Sequence, residues 1–280
     1  MPTTIPTTTS TARASLSPSV GDAYFETDTK NYIIYDGTFW RIYNYDSAIG
    51  WAGLNRYALD FDGSNDGMTV PSTTDFAFGT SGFSISFWFK PDGTNSGTKN
   101  IFDMRGVGVT EVPSLWLSSV GAGSDIKYYA SGSYLVQNLN VTINSGTWYH
   151  LLITNDGSTT DIFLDGNSTA IATGSDTTNY EACGLSLGKY YANTSYSFSG
   201  SIDEFAIFGS DQTSNLSTIY NSGVPGNLGS LNPIAWWQGG DGAEGGTGTT
   251  IYDMSSNSHD GTLINGASII GIGSGESIYA

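Results

Sequence analysis

The chain has 280 residues, with 26 Asp and Glu against 9 Lys and Arg, a formal net charge of -17. A field of that sign repels phosphates and acidic membrane surfaces, which excludes nonspecific nucleic-acid binding. With Cys183 the only cysteine and two histidines, neither an internal disulfide nor a Cys- or His-rich metal site can form.

Only 12% of residues are charged, and Asp outnumbers Glu 20 to 6. Glu, Lys and Arg build surface helices, whereas Asp prefers caps and turns. With 37 glycines and 13% aromatic residues the chain reads as β-rich. Its 38% hydrophobic content is enough to bury a sizeable core. No stretch approaches the ~18 apolar residues that span a bilayer. The opening MPTTIPTTTSTARAS lacks the basic and apolar runs of a secretory signal. The expectation is a chain without a signal peptide or membrane insertion, which folds in a reducing cytoplasm or does not need disulfides, and which can act outside the cell after lysis.

Residues 1–20 form a Thr/Ser/Pro arm with one charge, Arg13. It reads as a tail, or as an arm that orders on a partner through Ile5 and Leu16. Residues 21–50 read as a small β-meander with runs at Ala23–Phe25, Tyr32–Tyr35 and Thr38–Tyr43. Asp36-Gly37 between two of these runs is a hairpin signal. A few strands alone are too thin to be stable.

Residues 51–228 alternate short strands with glycine turns. Phe83–Lys90 sets Phe83, Ile85, Phe87 and Phe89 against Ser84, Ser86, Trp88 and Lys90. Trp148–Thr154 sets Tyr149, Leu151 and Ile153 against Trp148, His150 and Leu152. Asp161–Leu164 lies between Asp156-Gly157 and Asp165-Gly166, and Ile202–Phe208 is a further strand. This pattern predicts an all-β, antiparallel two-sheet sandwich or jelly roll. One helix is expected at Gln212–Asn221, with Thr213 or Ser214 as N-cap and Gly223 past its end. Residues 229–280 form a β extension: a strand at Asn232–Gln238, a glycine loop, Thr250–Asp253 and Gly261–Asn265. It is too short for an independent sandwich, so it packs on the central domain or is donated to a neighbouring chain.

The ordered set Ala58–Asp66, Phe83–Lys90, Gly146–Thr154 with Asp165-Gly166, and Gly200–Phe208 resembles the laminin-G-like branch of the concanavalin A-like lectin/glucanase superfamily. The resemblance implies a two-sheet antiparallel jelly roll. Gly21–Tyr43 is similar to an element of bacteriophage tail-fibre and structural proteins. Trp236–Gly266 resembles the opening strands of a further laminin-G-like unit seen in marine phage proteins. Together these imply a non-enzymatic virion protein, a capsid decoration or a tail-fibre adhesin, made in the host cytoplasm and carried on the virion surface. The arm and meander would join other virion proteins, and a homo-oligomer is expected, a trimer suiting a fibre.

The resemblance also suggests a structural calcium ion near Asp60, Asp62, Asn65 and Asp66, with Asp203 from a later strand. Oxygen-rich clusters of this kind suit calcium. The same residues also read as turn formers. Strict alternation puts Asp203 on the face of Phe205 and Ile207. It also puts Asp203 and Glu204 on opposite faces, which denies them a shared glycosidase site. No catalytic residue is assigned: His150 reads as structural, His259 as solvated and Cys183 as a buried inert thiol. Residues 239–248 lack the Lys and helix of a phosphate loop. Tyr128, Tyr129 and Tyr134 around one hairpin, and Tyr190, Tyr191 and Tyr196 around a loop, are the candidate platforms for host-surface glycans. The alternative functions are a free calcium-dependent carbohydrate-binding module and a glycoside hydrolase.

Overall fold

Residues 6–9, 11–19, 22–26, 31–35, 40–44, 57–105, 111–137, 140–240 and 248–271 are described by the structure, a computed structural model. The chain divides into two units, Met1–Leu54 and Asn55–Ala280. In the first unit the strands are β1 (Thr7–Thr8), β2 (Ala23–Glu26), β3 (Asn31–Tyr35) and β4 (Trp40–Asn44), in that sheet order. The three runs expected of the meander are β2 to β4, paired antiparallel. Thr7 and Thr8 of the arm pair in parallel with Phe25 and Glu26. The turns between the meander strands, Asp36-Gly37 included, lie outside the described residues.

The second unit is a two-sheet sandwich. Its strands are β5 (Tyr57–Asp62), β6 (Gly67–Thr73), β7 (Phe83–Pro91), β8 (Thr98–Asp103), β9 (Ser114–Ser118), β10 (Gly121–Ala130), β11 (Ser133–Val136) and β12 (Val141–Ile143). After them come β13 (Tyr149–Asn155), β14 (Thr159–Leu164), β15 (Ala172–Ser175), β16 (Cys183–Leu187) and β17 (Ser199–Phe208). The helix α1 (Leu216–Tyr220) precedes β18 (Ala235–Trp237), β19 (Thr250–Ile251), β20 (Gly261–Ile264) and β21 (Ser268–Gly271). Sheet one runs β15-β14-β13-β7-β17-β5-β21, with β18 also on β17. Sheet two runs β11-β10-β9-β8-β16-β6-β20-β19, with β12 also on β10. This is the all-β jelly-roll architecture that the alternation pattern predicts.

The expected inward faces meet in the core. Phe83, Ile85, Phe87 and Phe89 of β7 and Tyr149, Leu151 and Ile153 of β13 join one buried cluster. Phe87 stacks on Phe205 at 5.3 Å within sheet one, and Phe102 of sheet two meets both edge-on. Each such ring, fully buried, contributes roughly 1.5–3 kcal/mol over leaving it in water.

One departure from alternation matters. The register between β17 and β7 shifts between Asp203 and Ala206, and Glu204 is left-handed with φ 49°. This bulge inserts one residue, so Ile202, Phe205 and Ile207 all reach the core although their spacing is uneven. Asp203 pairs with Trp88 and lies against Gly239 and Ala58 on the outer face. The expectation that it shares a face with Phe205 and Ile207 is therefore corrected, and so is its placement opposite Glu204, whose carboxylate meets Trp236 on the same outer side.

The two sheets differ on their outer faces. β13 and β17 are buried along their whole length. Leu216 and Ile219 of α1, with Leu228 and Trp236, cover Leu152, Phe163, Ala206 and Phe208 on the outside of sheet one. The helix is shorter than expected. A 3-10 turn at Thr213–Asn215 precedes it, and the N-caps are Gln212 for that turn and Asn215 for the helix rather than Thr213 or Ser214, neither with a side-chain cap bond; Asp211 Oδ1 accepts the Thr213 N–H. β10 by contrast alternates buried and partly exposed residues, as a strand with one open face does. The C-terminal extension pairs within its own chain: β18 on β17, β20 on β6 and β21 on β5.

Candidate functional site

The open face of sheet two carries a group of aromatic side chains around one arginine. Arg105 follows β8, and its backbone N–H donates to Asp103 Oδ1, which tightens the turn. Its Nε donates to the same oxygen at 2.8 Å, and its Nη2 to Ser114 Oγ at 3.3 Å. The guanidinium lies 4.4 Å from the ring centre of Tyr129, 4.6 Å from Tyr190 and 5.3 Å from Trp116. Cation–π contacts of this kind are worth ~0.5–2 kcal/mol each.

The rings also hold one another. Tyr134 meets Tyr129 edge-on, Tyr191 meets Tyr190 edge-on, and Tyr196 meets Trp116 edge-on. Tyr134, Tyr191 and Tyr196 are exposed, whereas Trp116 is buried beneath them. The local backbone explains the arrangement. Ser131 and Gly132 both have positive φ, giving a two-residue hairpin turn that sets Tyr134 across from Tyr129. Asn193 caps the 3-10 turn Thr194–Tyr196, and Lys99 Nζ donates to Ser195 O. Gly188, with φ 77°, opens this loop where any Cβ would meet the Phe61 ring.

Five of the six tyrosines named from the sequence thus come together: Tyr129, Tyr134, Tyr190, Tyr191 and Tyr196. Tyr128 does not. It points inward between Ile126 and Ala130, is fully buried, and shares a 2.8 Å hydrogen bond with the Tyr180 hydroxyl. Adjacent residues of a strand face opposite sides, so Tyr128 and Tyr129 could not both be platforms. Sequence reasoning missed Arg105 and Trp116. The outward Trp116 between inward Leu115 and Leu117 was the available signal.

Beside the rings lies an open cleft of about 320 Å3, lined by Arg105, Asp103, Tyr191, Lys189, Ser186 and Thr69 among others. Burial pushes the Asp103 carboxyl above its ordinary value, and Arg105 pulls it back. Burial likewise raises the Tyr190 and Tyr134 phenols, again opposed by Arg105. These phenols stay neutral at physiological pH, able to donate and accept hydrogen bonds.

Of the five residues of the calcium expectation, Asp60, Asp62 and Asp66 lie near one another, the Asp66 charge acting on Asp60 and the Asp62 charge on Asp66. Asp62 and Asn65 are exposed, and Asp62 Oδ1 accepts the Ser64 N–H. Asp66 is buried; its Oδ2 accepts the Asp62 N–H, while its Oδ1 has no hydrogen-bond partner. Burial, with the Asp92 and Asp66 charges, raises Asp60. Asp203 Oδ1 accepts the Glu204 N–H. Among the described residues no three His, Cys, Asp or Glu side chains gather as a metal cluster. Asp66 Oδ1 is the one buried side-chain oxygen among them without a hydrogen-bond partner.

The remaining candidates carry no visible chemistry. His150 is fully buried, with Nε2 2.9 Å from Ser86 Oγ. Asp165 Oδ1 accepts the backbone N–H of His150, not its ring, so the three residues do not form a triad. Burial pushes His150 down to about 3, leaving it neutral. Glu204 Oε2 accepts the Trp236 indole N–H at 2.6 Å. Cys183 is buried, and burial pushes its thiol up to about 12. His259 is not solvated: it pairs with Asp75 at 2.9 Å and packs on Phe76.

A jelly roll with one covered sheet and an open aromatic face is the form of a lectin-like domain. A family model described as concanavalin A-like lectin/glucanases superfamily, laminin G type, matches residues 62–215, and the chain belongs to that superfamily. No curated protein sequence matches it. A putative carbohydrate-binding protein from Bacteroides ovatus is similar in structure, with a TM-score of 0.56 at 14% identity. That match covers 91% of this chain and 70% of the other. A heptameric SAP-like pentraxin from Limulus polyphemus gives a TM-score of 0.47 at 14% identity, over 59% of this chain and 82% of the pentraxin. Domain 4 of the arabinanase AbnA from Geobacillus stearothermophilus, solved with arabinotriose, gives 0.44 at 19% identity, over 58% and 76%.

Proposed function

We propose that this protein is a non-enzymatic glycan-binding component of a phage virion, with the open face of sheet two as its binding surface. The observation that carries the binding reading is the set of five tyrosines and Trp116 fixed around Arg105. Flat rings held rigidly, with hydroxyls at their edges, stack on sugar faces at little entropic cost. The Bacteroides ovatus neighbour, itself a putative carbohydrate-binding protein, agrees with this reading at the level of fold. A glycan array followed by calorimetry tests it. Binding in the micromolar range or weaker, lost in the Tyr191→Ala/Tyr196→Ala double variant, is expected. An array without hits would sink it.

The virion location rests on the meander that resembles phage structural proteins. Immunogold labelling of particles decides between head and tail. Deleting residues 2–46 should abolish incorporation while leaving a folded sandwich. Absence of label on every particle would remove the virion reading.

The non-enzymatic reading is supported by the burial of His150 and by the engagement of Glu204 with Trp236. Polysaccharide turnover that disappears in Glu204→Gln would overturn it. A second reading, a calcium-dependent module, draws on Asp66 Oδ1, whose missing partner a cation could supply. Chelator separates the two: binding through the tyrosine face survives EDTA, and loss of binding in EDTA favours the calcium-dependent module.

A further inference from the structure

We infer that the cleft beside Arg105 selects saccharides bearing an anionic group, a ring carboxylate or a sulfate ester, through Lys189. The inference rests on the glycan-face reading above and adds the ligand class to it.

Charge is unevenly distributed over the sandwich. Between residues 57 and 271 the described residues hold 18 Asp and Glu but only five Lys and Arg. Four of those five serve this face. Arg105 and Lys189 line the cleft, Lys127 stands in register with Trp116, and Lys99 braces the loop that carries Tyr196. The fifth, Lys90, lies over Trp148 and pairs in register with Ser201 of sheet one. Asp125 is two positions beyond Lys127 on β10, away from Tyr129.

The two cations of the cleft are not equivalent. Arg105 is answered by buried Asp103 and covered by three rings, with 9% of its side chain exposed. Lys189 has no carboxylate within ion-pair distance among the described residues. Its stem lies over Gly67, where a Cβ would stand 2.8 Å from Cδ. Ser186, also on the cleft wall, has a buried hydroxyl without a hydrogen-bond partner. Unpartnered buried hydroxyls are uncommon, and this one belongs to a residue that lines the same cleft as Lys189. An ammonium and a hydroxyl donor together suit an anionic oxygen.

The net charge of -17 does not defeat this. At ~0.1 M salt, charges beyond about 10 Å are largely screened, so the nearby cations decide.

The test is calorimetry at matched chain length with three probes: oligogalacturonate, a sulfated carrageenan oligosaccharide and a neutral cello-oligosaccharide. One anionic probe should bind about tenfold tighter than the neutral one, which of the two anionic probes it is separating carboxylate from sulfate. That preference should shrink as NaCl rises from about 50 to about 300 mM. Lys189→Met should remove most of it, with the circular dichroism spectrum unchanged. Equal binding of neutral and anionic probes, or a preference that survives Lys189→Met, overturns the inference and leaves the glycan-face reading standing. No binding of either anionic probe likewise overturns the inference, while the glycan-face reading falls only with an array without hits.

Discussion

Arg105 Nε donates to Asp103 Oδ1 across 2.8 Å, and the Asp103 side chain is wholly buried. Breaking a buried pair by removing one partner leaves an uncompensated charge, at roughly 3–5 kcal/mol. Arg105→Met should therefore destabilise the sandwich by about that amount near pH 7. The pH dependence has a definite sign. Burial first, against the pull of Arg105, raises the folded-state value of Asp103 above its ordinary 3.8. A raised carboxyl contributes stability fully present below the unfolded value, and that contribution is lost as pH rises through the folded value. Without Arg105 the folded value rises further. The deficit of Arg105→Met relative to the parent should therefore narrow as pH falls toward the ordinary carboxylate range. Urea melts at neutral and mildly acidic pH check this, and a constant deficit would count against it.

Two tyrosines adjacent in the sequence should behave in opposite ways. Tyr128→Phe removes a hydroxyl from the buried chain Tyr128–Tyr180–Asp176, in which Tyr180 donates to Asp176 Oδ2. A loss of about 1 kcal/mol is expected, with glycan binding unchanged. Tyr129→Ala removes one of the rings over Arg105 and should weaken glycan binding about tenfold or more. Thermal melts and calorimetry on the two variants separate the roles. Loss of binding in Tyr128→Phe would contradict the placement of that ring.

Alternation made much of the fold legible. The phenylalanines of β7 and the two faces of β13 follow from spacing alone, because one face of each strand meets the opposite sheet. Uneven spacing at Ile202, Phe205 and Ile207 held the signal of the bulge, but strict alternation led Asp203 to the wrong face. The tyrosine clusters were visible as sequence neighbours of turns. Their convergence was not, because Arg105 comes just after β8, Trp116 from β9 and Tyr190 from the loop after β16, and only the sheet order brings them together. His259 looked like a turn residue, since its partner Asp75 is 184 positions away.

At the bulge, Glu204 combines a left-handed backbone with a buried carboxylate on Trp236 Nε1. Glu204→Ala loses that hydrogen bond and keeps the unfavourable φ, so a cost of about 1–3 kcal/mol or more is expected. Glu204→Gly loses the same bond but relieves roughly 1 kcal/mol of backbone strain. The glycine variant should therefore be the more stable of the two, the reverse of the order found in ordinary strands. Denaturant midpoints decide it, and an alanine variant more stable than glycine would mean that residue 204 is not left-handed in solution.

The C-terminal extension should be required for folding of the sandwich. Trp237, Ile251 and Leu263 are all buried in the main core, and Trp237 packs on Phe205. Trp236 joins the cluster that closes the outside of sheet one and supplies the donor to Glu204. β20 and β21 cover β6 and β5, strands otherwise left with unpaired edges. Trp237→Ala alone should cost about 3–5 kcal/mol, against a total of roughly 5–15 kcal/mol for a typical domain. Ending the chain at Leu231 removes both tryptophans and four strands, a loss larger than that total. Such a truncation should show a collapsed or unfolded spectrum by circular dichroism and heteronuclear NMR. A dispersed, cooperatively melting spectrum from it would mean that β5 to β17 fold alone and that residues 232–271 are an addition to a complete domain.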